Sequence, residues 1–169
     1  MKEEIKSAFE RYKDFLGLLV NNTQSWQKAF YERKLTDIKP IEITSVRELF
    51  TEEEVKIMTR TVKAKECYKN AFNIAKILST NNREVRYIEG VAFLSDFGGF
   101  PIEHAFNSVD GKYFDATFEL LDSLKDNNVE YSVYGDYSVD EVREVLLETK
   151  VWGEIYENKV TKLYKEKGR

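Results

Sequence analysis

The chain contains one cysteine, Cys67, and one histidine, His104, and Asp115 follows the histidine by eleven residues. A thiol, an imidazole and a carboxylate are the parts of nucleophilic acyl transfer. The thiolate attacks a carbonyl, the imidazole moves the proton, and the carboxylate fixes the imidazole's tautomer and orientation. Asp110-Gly111, between two alternating stretches, is a strong short-range hairpin signal. With a two-residue loop, Val109 faces Lys112 and His104 faces Thr117, which puts His104 and Asp115 on one face as diagonal neighbours about 7–8 Å apart. A four-residue loop keeps this parity, and a three-residue loop with a glycine bulge reverses it. Taken singly, each residue has a plainer reading: a small buried hydrophobe on a helical stripe, a structural strand histidine, an acid blunting a strand face. What points to chemistry is that the sole thiol and the sole imidazole fall on elements that can meet.

Those elements follow from periodicity. Ile5, Phe9, Tyr12, Phe15, Leu16 and Leu19 form the apolar stripe of a helix over Glu3 to Val20, and a second helix is expected from about Ser25 to Arg33. "TDIKPIEIT" reads as a connector broken by Pro40. Thr51 with Glu54, and Ser138 with Glu141, are capping boxes for helices over about Glu52–Thr61 and Val139–Lys150. Cys67, Ala71, Ile74, Ala75 and Leu78 form one face of a helix beginning near Cys67, so the thiol sits at an N-terminus, where the backbone favours a thiolate. The period then changes to two. "EVRYIEGVAFL", "IEHAFNSV", "KYFDATFE" and "VEYSVYG" read as strands, and a last helix covers about Glu154 to Lys165. Helices, then an antiparallel sheet, then helices again make an α+β fold with the Cys67 helix packed on the sheet. Residues 1–64 form an N-terminal helical region, 65–135 a helix-plus-sheet core and 136–169 C-terminal helices of a single domain.

"ECYKNAFNIA", "YIEGVAF", "IEHAFN" and "DGKYFDATFE", in that order, resemble the transglutaminase-like cysteine enzymes. In that superfamily a cysteine opens a helix, one strand carries His-Ala-aromatic, and the next carries Asp followed shortly by Thr. Here these are Cys67, His104-Ala105-Phe106 and Asp115-Ala116-Thr117. The resemblance spans about Lys65 to Glu119. Phe106 stands where many members have tryptophan, and Lys65-Glu66 replaces a small, glycine-containing lead-in. The resemblance implies a papain-like α+β core and a Cys67–His104–Asp115 triad acting on an amide, by hydrolysis, deamidation or acyl transfer to an amine, without a cofactor. It also implies an oxyanion donor in the Cys67 backbone N–H, with Tyr68 as the candidate for the second donor and so for substrate binding. The superfamily also contains inactive members, so a binding or inhibitory protein on the same fold is the alternative.

Glu89 lies mid-strand among apolar neighbours and is a candidate substrate contact, against the plainer reading of an edge carboxylate reaching water. Gly90 marks a bulge or a close backbone approach. A zinc site built from Cys67, His104 and Asp115 or Glu89 is the chemical rival, but the short-spaced ligand pairs typical of zinc are missing, so no metal is expected. Trp26 and Trp152 read as core anchors.

Hydrophobic residues at 42% supply a core, and a net charge of −4 gives no global attraction to nucleic acid or anionic membrane. Lys56, Arg60 and Lys63, at helical spacing, form the one local basic patch that would admit nucleic acid, and a solvated face balanced by Glu52 to Glu54 is the favoured reading. No apolar run reaches the length of a membrane span and the N-terminus lacks a signal-peptide pattern, so the expected compartment is the cytoplasm. A single cysteine forms no internal disulfide. The expected partner is a peptide, protein or small amide substrate.

Overall fold

Capping boxes start three of the helices. In the computed structural model, which describes residues 6–121 and 128–168, Ser7 and Glu10 cap each other's backbone and open α1 (Ala8–Asn22). Thr51 with Glu54 opens α4 (Glu52–Thr61), and Ser138 with Glu141 opens α7 (Val139–Thr149). The remaining helices among the described residues are α2 (Ser25–Asp37), α3 (Val46–Leu49), α5 (Cys67–Leu78), α6 (Ala116–Leu120) and α8 (Ile155–Lys167). None is long and apolar enough to cross a membrane. Ile5, expected on the first stripe, lies outside the described residues.

Five strands form one antiparallel sheet of order β1-β5-β2-β3-β4: β1 (Lys39–Ile41), β2 (Val85–Leu94), β3 (Phe100–Val109), β4 (Lys112–Phe114) and β5 (Val129–Tyr137). The fold is therefore α+β, with α5 packed on β2 and β3. The hairpin loop is even. Val109 pairs Lys112, and Asp110 and Gly111 both take left-handed backbone (φ 51° and 76°), as a two-residue turn of this type requires.

Two expectations need correction. The connector around Pro40 contains β1, which pairs β5 at a sheet edge, where the missing N–H of a proline is tolerated. The expected strand "KYFDATFE" stops at Phe114. There the Asp115 side chain accepts a hydrogen bond from the Phe118 N–H (3.1 Å) and caps α6, so His104 never pairs Thr117.

The two edges of the sheet meet. Ile43, two residues past β1, forms a parallel bridge with Tyr113 of β4, and the Thr44 N–H donates to the Tyr113 carbonyl at 2.8 Å. The sheet is thus curled. Its inner face carries Ile88, Ala92, Phe106, Tyr131 and Val133, and the outer face of Tyr87 and Ala105 packs on α5, α7 and α8. Gly90 marks both a bulge and a close approach. The β2–β5 register shifts between Glu89 and Gly90, and a Cβ at Gly90 would lie 1.9 Å from the Ser132 carbonyl oxygen. The approaching backbone is the protein's own.

Candidate active site

Strand alternation divides β3. Ala105 and Asn107 face α5, where the Asn107 amide donates to the Ala71 carbonyl at 2.8 Å and pins the helix to the strand. His104 and Phe106 point to the inner face. His104 is 2% exposed, and its ring lies 4.1 Å from that of Phe118 at an interplanar angle of 21°. Its Nε2 is 2.8 Å from Asp115 Oδ2. The same carboxylate oxygen accepts from the Tyr131 hydroxyl at 2.9 Å, and Asp115 Oδ1 is held by the Phe118 N–H. Asp115 is therefore oriented by three donors, and it reaches His104 from the start of a helix, not from a continuing strand.

Cys67 approaches from the side. β4 pairs only Asn107, Ser108 and Val109, so β3 before Asn107 has no partner on that edge. The N-terminus of α5 lies against this open stretch, where the Ala105 and Tyr68 N–H groups and the His104 ring surround the sulfur. Burial works against the thiolate. The hydrogen bond and charge of His104, followed by those two N–H groups, outweigh it and hold the thiol below its ordinary range. Burial likewise works against the His104 imidazolium, yet the Asp115 charge and hydrogen bond, joined by Cys67, push it up to about 10. With Nε2 bound to Asp115, Nδ1 is the nitrogen left for the thiol. The carboxylate thus favours the imidazolium, and the imidazolium favours the thiolate.

The lead-in to α5 is shaped by Asn70. Its carbonyl oxygen accepts from the Lys63 N–H (3.0 Å), and its amide donates to the Lys63 carbonyl (2.8 Å) and to Thr117 Oγ1 (3.2 Å), tying the loop to α6. Lys65, just before the helix, takes the left-handed conformation that glycine favours (φ 64°). No side chain caps α5, which leaves its first N–H groups to the thiolate and the space before it.

Glu89 is not an edge carboxylate. It is 2% exposed on a central strand, accepts from the Tyr87 hydroxyl and from the Ile155 and Tyr156 N–H groups, and so serves the N-terminus of α8. Burial raises its carboxyl above the usual range, against those three donors. Tyr68 packs its ring on Gly153 and, with Glu89 and Glu103, lines a cavity of about 510 Å³. A second cavity of about 540 Å³ is lined by Asp115, Phe118, Tyr131 and Arg47, and Cys67 and His104 line neither. Lys56 pairs Glu53 at 2.8 Å on an exposed face. Trp26 and Trp152 are about 40% exposed and so are not buried anchors; Trp152 packs on Phe72 beside Lys69. Among the described residues, no group of three His, Cys, Asp or Glu side chains is arranged to hold a metal ion.

Sequence reasoning brought Cys67, His104 and Asp115 forward, and the structure places them together. It did not bring forward Tyr131, Phe118, Asn70 or Asn107. Only Phe118 left a signal, at the third position after a capping aspartate. Comparison of the chain with protein-family models, curated proteins and solved structures finds no match.

Proposed function

We propose that the protein is a cysteine enzyme of transglutaminase-like type that acts on an amide or related acyl compound. The observation that carries this reading is His104 Nε2 on the Asp115 carboxylate at 2.8 Å, with the same imidazole acting on the Cys67 thiol and lowering its pKa. Cys67 Sγ would attack the carbonyl carbon, and the oxyanion would form beside the uncapped N-terminus of α5. The His104 imidazolium would give its proton to the leaving amine as the C–N bond breaks, leaving a thioester. Water or an amine, deprotonated by His104, would then attack the thioester carbon and release the thiolate. Asp115 keeps the imidazolium oriented through both steps.

A second reading, a binding protein with an idle triad, draws on the enclosure of His104 and on cavities that stop short of the thiol. Iodoacetamide separates the two. Cys67 of the folded protein is expected to alkylate with an apparent thiol pKa below 9.0, and His104→Gln is expected to raise that pKa. An activated acyl ester should add one acyl group, seen by intact mass in wild type and absent in Cys67→Ala. A native thiol inert to both reagents overturns the enzyme reading.

A further inference from the structure

We propose that the cavity beside Tyr68 is a recognition site for an organic cation, an ammonium or guanidinium group carried on an apolar chain. At about 510 Å³ it has the size of a small-molecule site. Its walls are aromatic, among them Tyr31, Tyr68, Tyr134 and Tyr156, and its carboxylates are Glu89, Glu103, Glu154 and Glu157 against a single cation, Lys34. Aromatic faces with carboxylates favour cations over neutral or anionic groups.

The protein already holds one ammonium this way. Lys34 is buried, with Nζ 4.3 Å from the centre of the Tyr134 ring, 5.9 Å from those of Tyr12 and Phe30, and 2.8 Å from Glu103 Oε1. Glu103 is fully engaged, since it also accepts from the Tyr12 and Tyr134 hydroxyls. Glu89 is engaged by α8. Glu154 and Glu157 are different. Of the lysines of α8, the two nearest them in sequence face other acids, Lys159 toward Glu141 and Lys162 toward Glu148. Burial and the Glu154 charge hold the Glu157 carboxyl above its usual range, outweighing the opposing charge of Lys34, as expected of two acids whose field one lysine compensates only in part. These two acids are what an incoming cation would meet.

The cavity also has a definite relation to the triad. Tyr68 follows Cys67 and Glu103 precedes His104, but Glu103 and His104 point to opposite faces of β3. A cation held there sits beside the thiol's helix and away from the imidazole, so it is recognised and is not a reactant. As a substrate-recognition site this rests on the cysteine-enzyme reading; as a cation site it does not.

The test titrates n-hexylammonium chloride into the full chain at low ionic strength and follows tyrosine fluorescence, with 1-hexanol and hexanoate as controls. Hexylammonium is expected to bind saturably and about tenfold more tightly than hexanol, with hexanoate silent. Glu154→Gln/Glu157→Gln, which changes one exposed and one half-buried side chain, is expected to remove that preference. Cys67→Ala is expected to bind as wild type does. Equal binding of hexanol and hexylammonium, or an unchanged preference in the double variant, overturns the proposal. If the cation binds while Cys67 is inert to iodoacetamide, the enzyme reading falls and the cation site stands. If Cys67 reacts while the cation fails to bind, the reverse holds.

Discussion

His104 lies between an acid that wants it charged and a thiol that benefits when it is. The Asp115 charge is the largest influence raising the imidazolium, and the imidazolium in turn lowers the thiol. Asp115→Asn removes the charge but keeps an oxygen that can accept from the Phe118 N–H, so α6 should remain capped. The expected outcome is a rise in the apparent pKa of Cys67 and a fall of about tenfold or more in its alkylation rate at pH 7, with the circular dichroism spectrum unchanged. Glu89 shows how one side chain misleads when read alone. An acid among alternating apolar residues is equally the mark of a solvated edge, a ligand contact or a buried cap. Only its three donors, two of them sixty-six and sixty-seven residues away, decide for the cap.

At the scale of elements, whatever was written locally could be read. Thr51 with Glu54 and Ser138 with Glu141 begin helices where they stand, Asp110-Gly111 makes the even turn, and Cys67 is the first residue of α5. What failed was the end of an alternating stretch. "KYFDATFE" keeps a period of two across a strand of three residues and a helix of five, and only the capping role of Asp115 separates them. β1 was hidden because its three residues include Pro40 and gain their strand character from pairing β5, ninety or more residues away. Gly90 was legible as a special position, but the sequence does not say whose backbone comes close. Because a Cβ there would meet the Ser132 carbonyl oxygen at 1.9 Å, Gly90→Ala must displace backbone on a central strand opposite His104. It is expected to cost about 1–3 kcal/mol in chemical denaturation.

For the molecule as a whole, the buried pair ties stability to pH. His104 keeps its proton in the folded state up to about pH 10 and gives it up near 6.5 when unfolded, so its contribution is fully present below 6.5 and lost as pH rises through 10. Cys67 runs the other way. Its folded thiol ionises below the 9.0 of the unfolded chain, which adds stability as pH rises toward 9.0. Cys67→Ala removes the compensating half. Denaturation of the two proteins between pH 6.5 and 10 should therefore show a steeper loss of stability in the variant than in wild type. An equal or shallower loss would mean that Cys67 supplies no such compensation. The curled sheet makes this coupling a property of the fold, since the closing bridge from Ile43 to Tyr113 sits one residue from Phe114 and two from Asp115. The stacking of Phe118 on His104 has a spectroscopic consequence. The chain has a single imidazole, and its face lies 4.1 Å from an aromatic ring. Its carbon-bound protons fall in that ring's shielding cone and give one upfield-displaced pair of resonances, a built-in reporter of protonation at this centre that needs no isotope-edited assignment.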